Sequence, residues 1–320
     1  LVYDTIDFYR GTAAKTKGPD SAITDFLVKW LGIWEDIDAH YETELSPEIR
    51  AYIEAYADGL NYYAAINPER AVAELPITGK DIIAGYMFRH ILFYGFDGVL
   101  KEVMSSERQQ PISTANGVIY NGLPVGSNAS AISPANSTDG ATRLAINSHQ
   151  PATGPVAWYE AHIQSGEGLN AMGGLFPGSA TIGVGFNENI AWGATVNKPD
   201  LVDVYVLDID PEDPLRYRMD GKWHDLEATE LEIKVKLWGF LPWTATELGL
   251  RSAHGPVLQT DHGTYAIRYA GMGKMRQVEQ WLAMNKAQNL EQWRDALRIH
   301  SFASFNFVYA DSDSNIMFVH

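Results

Sequence analysis

The tetrapeptide Gly126-Ser127-Asn128-Ala129 lies at the point where the sequence changes from helical to strand-like patterning. Before it, Ser46-Pro47-Glu48 has the order of a helix start, with serine as the N-cap and proline in the first turn. After it, short apolar runs alternate with turn residues, as in Leu231–Leu237, where every second residue is apolar. This order predicts an α+β fold with a helical segment at residues 1–107, a linker at 108–126 and a strand-rich part at 127–320.

Apolar spacing predicts the individual elements. Helices are expected from Ser46 to Leu60, from Ala22 to about Asp38 and from Thr78 towards Leu100. Two more are expected near the end of the sequence, at Val278–Met284 and Leu290–Ile299. Strands are expected at Leu144–Ile146, Val156–Ile163, Ala180–Phe186, Ile190–Val196 and Leu201–Ile209, with a last hairpin of Phe305–Ala310 and Ile316–Val319. The dipeptide Asp220-Gly221 predicts a tight hairpin turn.

The composition of the 320-residue chain excludes several classes of protein. Its formal net charge of -16 argues against nucleic acid and anionic membranes as partners, because both attract basic surfaces. The absence of cysteine excludes disulfides, a thiol nucleophile and thiolate metal sites. The sequence has no run of about 18 apolar residues and no recognisable signal peptide. Both ends are abrupt, so we expect the sequence to be a piece of a longer protein.

The familiar motifs of hydrolases and nucleotide-binding proteins do not occur in the sequence. There is no Gly-x-Ser-x-Gly elbow, no His-Glu-x-x-His pair and no Walker loop. Taken alone, Gly126-Ser127-Asn128 is typical of a turn. Its meaning therefore depends on the motifs that follow it.

Those later motifs form an ordered series in the strand-rich part. They are Asn147–Pro151, Trp158–His162, Leu175–Gly178, Asn187–Gly193, Thr195–Asn197, Asp200–Tyr205 and Asn306–Asp311. Together with Gly126-Ser127-Asn128, the series resembles the penicillin acylase family of N-terminal nucleophile hydrolases, in particular its acyl-homoserine-lactone and aculeacin acylases. The resemblance implies part of a four-layer αββα core, preceded by a helical segment that ends the first mature chain.

The resemblance also implies that the precursor cuts itself between Gly126 and Ser127, giving an α/β heterodimer. Ser127 would then carry a free α-amine, whose ordinary pKa of roughly 7.7–8 suits a general base at neutral pH. A serine hydroxyl needs such a base to act as a nucleophile. By resemblance, His149 holds the amine and hydroxyl of Ser127 in place. The backbone N–H of Val196 and the side chain of Asn306 form the oxyanion hole.

Further residues receive roles from the same resemblance. The aromatic residues Phe93, Phe96, Trp158 and Phe305 are candidates for the acyl-binding pocket, although each is also a plausible core residue. Asp200, Val202 and Asp203 match a calcium-binding pattern of the family, and their oxygens suit that ion. Two solvated turn carboxylates are the alternative interpretation. No organic cofactor is implied.

The predicted function is hydrolysis of a small acyl amide, such as an N-acyl-homoserine lactone or a penicillin, in the periplasm or after secretion. A non-catalytic sugar- or ligand-binding relative that stays uncut is the first alternative, with Trp158, Trp192, Trp223 and Trp243 as its binding residues. A conventional serine hydrolase that uses His149 as the base is the second. Cleavage before Ser127 separates the first alternative from the prediction.

Overall fold

The computed structural model describes residues 2–320 except 72, 92, 94, 107–118, 121, 122, 125, 155, 198 and 303, and it omits the side chains of 119, 120, 123 and 124. Within these residues the α-helices are α1 (Val2–Tyr9), α2 (Ala14–Lys17), α3 (Ala22–Trp30), α4 (Ile33–Glu44), α5 (Pro47–Ile66), α6 (Gly79–Ile91), α7 (Phe96–Val103), α8 (Gln277–Lys286) and α9 (Leu290–Leu297). Short 3-10 turns occur at Pro19–Ser21, Pro68–Arg70 and Pro134–Asn136.

The strands follow α7 in the chain and precede or flank the last two helices. They are β1 (Ile119–Tyr120), β2 (Leu123–Pro124), β3 (Gly126–Ile132), β4 (Arg143–His149), β5 (Tyr159–Gln164), β6 (Asn170–Leu175), β7 (Val184–Phe186), β8 (Ile190–Thr195), β9 (Val202–Asp210), β10 (Asp213–Met219), β11 (Lys222–Asp225), β12 (Glu227–Leu237), β13 (Leu241–Ser252), β14 (Gly255–Thr260), β15 (Gly263–Tyr269), β16 (Asn306–Asp311) and β17 (Ile316–Val319). Helices and antiparallel sheets therefore confirm the predicted α+β class.

Two helices predicted as continuous are each divided by a glycine. The run from Ala22 to Asp38 forms α3 and α4, because Gly32 between them adopts a left-handed φ of 72°. The run towards Leu100 ends as α6 and resumes as α7 after Gly95, whose φ is 71°. Glycine reaches this conformation without the steric cost that a Cβ would add. The predicted start at Ser46 is confirmed, since its hydroxyl accepts a hydrogen bond from the Ile49 N–H.

A seven-stranded antiparallel sheet has the order β11-β10-β9-β15-β14-β13-β12. The predicted turn at Asp220-Gly221 joins β10 to β11, and both residues have positive φ. On β12 the apolar residues Leu231, Ile233 and Val235 are buried while the residues between them are exposed. The predicted half-exposed strand is therefore confirmed.

A six-stranded antiparallel sheet, β17-β16-β8-β7-β6-β5, forms the layer on which the site is built. Its central side chain Tyr309 packs against Trp293 of α9, while Phe307 packs against both Trp293 and Trp281 of α8. The separate β3–β4 ribbon packs against β8 and β16. At this contact the backbone of Gly193 approaches Ile146 so closely that an added Cβ would lie 3.2 Å from the Ile146 Cβ.

Two predicted strands are shorter than the sequence suggested. The expected strand Ala180–Phe186 is extended only over β7, because residues 180–182 direct their backbone groups towards helices. The Ala180 N–H donates to the Tyr86 hydroxyl, and the Ile182 N–H donates to Asn285 of α8. The expected strand Val156–Ile163 begins at Tyr159, since the Ala157 N–H closes a turn onto Gly154.

One hydrophobic core joins the helical segment to the strand-rich part. The indole N–H of Trp30 on α3 donates to the Val257 carbonyl on β14 at 2.9 Å. The Tyr52 hydroxyl on α5 donates to the Ala180 carbonyl. Among the described helices, none is both long and apolar enough to cross a membrane.

Candidate active site

A cavity with about 60 Å³ of space for water-sized molecules, partly open to solvent, lies where α6 meets the β3–β4 ribbon and the end of β8. Four residues of α6 and its following turn line it: Tyr86, Arg89, His90 and Phe93. Ser127 lines it from β3, and Ala194, Thr195 and Val196 line it from β8 and the residue beyond. The structure thus brings Ser127 and Val196, which are 69 positions apart in the sequence, to the same cavity.

Ser127 faces the cavity because of its place on β3. Side chains alternate between the two faces of a strand, and Ser127, Ala129 and Ala131 are the partly buried positions while Asn128 and Ser130 are exposed. The Ser127 hydroxyl donates a hydrogen bond to the carbonyl oxygen of Gly126 at 2.5 Å. The hydroxyl therefore lies beside the carbonyl of the peptide bond that the sequence predicts to be cut.

The two predicted oxyanion-hole residues are neighbours. Asn306 pairs with Thr195 at the end of the β16–β8 ladder, and Val196 is the next residue beyond that pair. The Asn306 amide donates to the Val196 carbonyl at 3.3 Å, and its carbonyl oxygen lies 3.1 Å from Nδ1 of His320. Val196 lines the cavity, whereas Asn306 is not among its lining residues. To serve in an oxyanion hole, the Asn306 amide would have to turn from the Val196 carbonyl towards the cavity.

The ring of His149 lies on the opposite face of the ribbon from Ser127. Gly126 is paired with His149 and Ser127 with Ser148, so the cavity face carries Ser127 and Ser148. Nε2 of His149 lies 3.1 Å from the Asn147 amide and 3.3 Å from that of Asn128, and the ring is exposed. The imidazole therefore makes no contact with the Ser127 hydroxyl, whereas the His149 main chain lies opposite Gly126.

Aromatic side chains build one wall of the cavity. Phe93 stacks on Phe176 with centroids 5.9 Å apart and lies 6.0 Å from Phe305. Trp158 lies 4.1 Å from Phe176. Phe93, Trp158 and Phe305 thus line the cavity together. Phe96 does not, because it packs edge-on against Tyr269 in the main core at 5.5 Å.

Several polar lining residues were not singled out from the sequence: Tyr86, Arg89, His90 and Gln150. The available signal was the pair Arg89-His90 inside α6, a helix whose described residues are buried at all positions except Lys80. Burial lowers the pKa of His90 to about 4, and the nearby Arg89 charge adds to this lowering, although the bond to the Tyr86 carbonyl opposes it. His90 is consequently neutral at pH 7.

The calcium candidates lie at the start of β9, away from the lining of the cavity. Asp200 and Asp203 are exposed, and Val202 pairs with Tyr269 in the seven-stranded sheet. In the part of the chain that the structure describes, no three acidic or histidine side chains come together. Calcium takes six to eight oxygen ligands, so these residues fit only part of a calcium site.

The tryptophans of the binding-module alternative are scattered. Trp192 is fully buried and donates its indole N–H to the Gly183 carbonyl, so it has no face for a ligand. Trp223 and Trp243 are exposed on β11 and β13, which lie towards opposite ends of the strand order of the seven-stranded sheet. Only Trp158 of the four lines the cavity.

Comparison with known proteins gives the family that the sequence motifs resemble. Residues 4–320 match the family described as penicillin amidase. The acyl-homoserine lactone acylase PvdQ of Pseudomonas fluorescens (strain Pf0-1) is 29% identical over 310 residues, covering 87% of this chain and 39% of that protein. Penicillin G acylase of Escherichia coli is 30% identical over 241 residues, covering 71% of this chain and 27% of that protein.

A solved structure gives the same result. The thermostable penicillin G acylase from Alcaligenes faecalis aligns with a TM-score of 0.52 and 28% identity, covering 61% of this chain and 34% of that chain. The chain thus spans less than half the length of each of these relatives. All three are named as acylases, which favours an amide hydrolase over the non-catalytic alternative.

Proposed function

The chain belongs to the penicillin amidase family, and on that premise we propose that it is part of an acylase whose nucleophile is Ser127. The substrate is a small amide, which is hydrolysed to a carboxylic acid and an amine. One observation carries the proposal: the Ser127 hydroxyl lies beside the Gly126 carbonyl at an aromatic-walled cavity. The first contact supports self-cleavage at this bond, and the place of the hydroxyl at the cavity supports a later attack on a substrate.

Self-cleavage is the first step of the proposed mechanism. The Ser127 oxygen attacks the Gly126 carbonyl carbon, and the C–N bond breaks as the nitrogen takes up the hydroxyl proton. Water then hydrolyses the resulting ester, leaving a carboxylate on Gly126 and a free amine and hydroxyl on Ser127. The strand pairing of β3 with β4 holds the new end in place, since Ser127 to Ile132 remain paired with residues 143–148.

Amide hydrolysis uses the two groups that the cut leaves on Ser127. The hydroxyl attacks the substrate carbonyl while the α-amine accepts its proton and passes that proton to the leaving amine. The negative charge that develops on the carbonyl oxygen is stabilised by the Val196 N–H and the Asn306 amide. Water then releases the acid from the acyl-enzyme. All reacting protein groups belong to the chain itself, so the mechanism needs no organic cofactor.

His149 has a positioning role in this proposal, exerted through its main chain. The register that pairs Gly126 with His149 keeps the end of β4 beside the cut, and the contacts of the ring with Asn147 and Asn128 lock that strand end. The face on which the ring lies argues against His149 as a direct base. A conventional serine–histidine pair is therefore the weaker mechanism.

The maturation, location and metal content of the protein complete the proposal. Residues 1–107 close the first chain, residues 108–126 form the processing region and 127–320 open the second chain, which gives an α/β heterodimer. We place the protein in the periplasm or outside the cell, a location that cell fractionation tests.

Asp200, Val202 and Asp203 are proposed as part of a calcium site whose other ligands lie elsewhere. Addition of Ca²⁺ after chelation would then raise the melting temperature.

Intact mass and N-terminal sequencing of the purified full-length protein test the proposal. We expect a new end that reads Ser-Asn-Ala-Ser, and an uncut chain for the variant Ser127→Ala. A wild-type chain that stays uncut through long incubation at neutral pH would overturn self-processing. Acetylation of the new amine separates the mechanisms, because it abolishes activity if the amine is the base but spares an enzyme that uses His149.

A further inference from the structure

The hairpin of β12 and β13 extends beyond the seven-stranded sheet as a two-stranded arm. β12 pairs with β13 from the pair Glu227 and Arg251 to the pair Leu237 and Leu241. The next strand, β14, pairs with β13 only at residues 250–252. Among the described strands, residues 241–249 therefore have a strand neighbour on one side alone, over a length of about 30 Å. The turn at residues 238–240 forms the far end of this arm.

Large apolar side chains lie at the end of the arm and are exposed. The exposed fractions are 78% for Trp238, 75% for Phe240, 52% for Trp243 and 43% for Leu241. Two of these four side chains belong to the turn itself, and the other two follow it on β13. A single exposed apolar residue needs no explanation, but several together mark a contact surface.

The first turn of α3 continues this apolar surface. Ala22 and Phe26 of α3 pack in one cluster with Leu237 and Ala245 of the arm. Ile23, which follows Ala22, is 73% exposed. The helix therefore holds the base of the arm and adds an apolar side chain beside it.

The charge at the end of the arm is opposite in sign to that of the chain as a whole. The chain has 40 acidic and 24 basic residues, but residues 233–246 include two lysines and neither Asp nor Glu. These lysines, Lys234 and Lys236, are exposed. Glu74 also lies near Lys234, but it already pairs with Lys15. The end of the arm is thus basic as well as apolar.

Exposed Trp and Phe beside lysine suit the surface of a lipid bilayer. Aromatic rings partition into the interfacial layer of a bilayer, and lysine side chains can lay their stems along apolar surface while their ammonium groups reach phosphate. A protein–protein interface of standard size instead uses about 20–30 residues on each side, whereas the apolar residues here belong to one turn and its surroundings.

The net charge of -16 repels an anionic surface from the chain as a whole. That repulsion is screened over about 8 Å at physiological ionic strength. The end of the arm would meet the surface with its own lysines, while the acidic residues of the body stay farther away. The overall charge therefore does not decide how the arm behaves.

We propose that the end of the β12–β13 arm inserts into the surface of a lipid bilayer that carries anionic phosphate headgroups, without crossing it. Trp238 and Phe240 enter the interfacial layer first, and Lys234 and Lys236 contact the phosphates. The inference is independent of the proposed acylase function, because no residue of the arm lines the cavity.

Flotation of the mature full-length protein with lipid vesicles tests the role of the lysines. Vesicles of phosphatidylcholine with about one third phosphatidylglycerol are compared with phosphatidylcholine alone. We expect about 10- to 30-fold stronger partition onto the anionic vesicles, because each of two lysines near such a surface contributes about fivefold. Lys234→Gln combined with Lys236→Gln should remove this difference and leave the weaker binding to phosphatidylcholine unchanged.

A second pair of variants tests the aromatic side chains. Trp238→Ser combined with Phe240→Ser should reduce partition onto both kinds of vesicle by at least about 10-fold. The matched control, Trp223→Ser combined with Phe186→Ser, removes side chains that are 39% and 51% exposed elsewhere and should leave partition unchanged. Brominated lipids should quench the tryptophan emission of the wild type, and Trp238→Phe should lose part of that quenching.

Four outcomes would overturn the inference. One is a wild-type protein that floats with neither kind of vesicle, and another is flotation that the variant of Trp238 and Phe240 retains in full. A dimer that forms without flotation and is lost in that variant would assign the surface to a second copy of the chain. Equal acrylamide quenching of the wild type and Trp238→Phe without lipid would show that another part of the full-length protein covers the arm. Amide hydrolysis is assayed separately on the same preparation, so failure of the proposed function leaves this test intact.

Discussion

Substitution of Asn306 tests whether this residue and the end of β8 form an oxyanion hole. Substitution Asn306→Ala removes the amide that now donates to the Val196 carbonyl. If the amide moves onto the oxyanion during reaction, kcat should fall by about 10²- to 10³-fold while KM changes little. Asn170→Ala is the control and should leave kcat unchanged, because this half-buried residue on β6 contacts His162 and Glu188 and does not line the cavity. An unaltered kcat in Asn306→Ala would remove this residue from the mechanism.

His90 makes stability depend on pH at the residue scale. Its folded pKa of about 4 lies below the ordinary value of 6.5, so the unfolded chain binds a proton that the folded chain excludes. The contribution of His90 to the free energy of unfolding is therefore fully present above pH 6.5. It falls by up to about 1.4 kcal/mol per pH unit as the pH falls towards 4. In urea titrations, His90→Gln should flatten this decline. His40→Gln replaces an exposed histidine with the same bond to the carbonyl four residues earlier and should not flatten it.

Sequence reasoning reached some residues of the site and missed others for a physical reason. Ser127 and Val196 belong to segments whose order resembles a known family, and both line the cavity. Arg89 and His90 stand inside a buried helix, where apolar spacing predicts burial but does not say which neighbours share the space. Their partners, Ser179 and Phe305, come from distant parts of the chain. Only the folded arrangement reveals these contacts.

Glycines with positive φ determine where the helical elements end. Gly32 and Gly95 have nearly the same φ, 72° and 71°, but different surroundings. Gly95 faces open space, so Gly95→Ala should lower the free energy of unfolding by about 1 kcal/mol through its backbone alone. A Cβ on Gly32 would collide with the Arg251 guanidinium, which donates to the Leu31 carbonyl at 2.9 Å. Gly32→Ala should therefore cost about 1–2 kcal/mol more.

Urea titration of both variants measures this difference, and equal losses would show that Arg251 moves aside freely.

The same positions explain why element boundaries were harder to predict than element types. Apolar spacing continues across Gly32, so periodicity alone predicts one helix. The left-handed turn is selected by tertiary contacts such as the bond from Arg251 on β13 to Leu31. Tertiary contacts also decide where strands begin. The N–H groups of Ala180 and Ile182 donate to side chains of helices and not to a neighbouring strand.

At the scale of the whole molecule, one core holds both proposed chains together. Trp30 donates a hydrogen bond to the Val257 carbonyl on β14, Tyr52 donates one to the Ala180 carbonyl and Arg89 donates one to Ser179. Each of these contacts joins the helical segment to the strand-rich part. After cleavage, the two chains should elute as one species on a native sizing column, including in about 1 M salt, because apolar contacts are not screened. They should separate only in denaturant. Separate elution under native conditions would contradict a shared core.

The sheet orders show what the sequence alone could not supply. Local patterning predicted the β10–β11 and β16–β17 hairpins, whose strands are neighbours in the chain. The pairing of β8 with β16 joins strands more than a hundred residues apart, and it is this pairing that brings Asn306 to Val196. Alternation specifies which face of a strand is buried, but it leaves the choice of a distant partner open.

The absence of a side chain at Gly193 has a consequence for the proposed active site, which lies elsewhere on the same two strands and sheet. Because Gly193 lets β8 approach Ile146 of β4, the contact acts as a spacer that fixes the gap between the sheet and the ribbon. Ser127 lies on the ribbon and Val196 follows β8 of the sheet, so this contact helps to set the distance between the proposed nucleophile and the proposed oxyanion donor. Reaction rates respond steeply to such distances. Adding one methyl group at Gly193 should therefore push Ser127 and Val196 apart, although Gly193 itself is not among the residues that line the cavity.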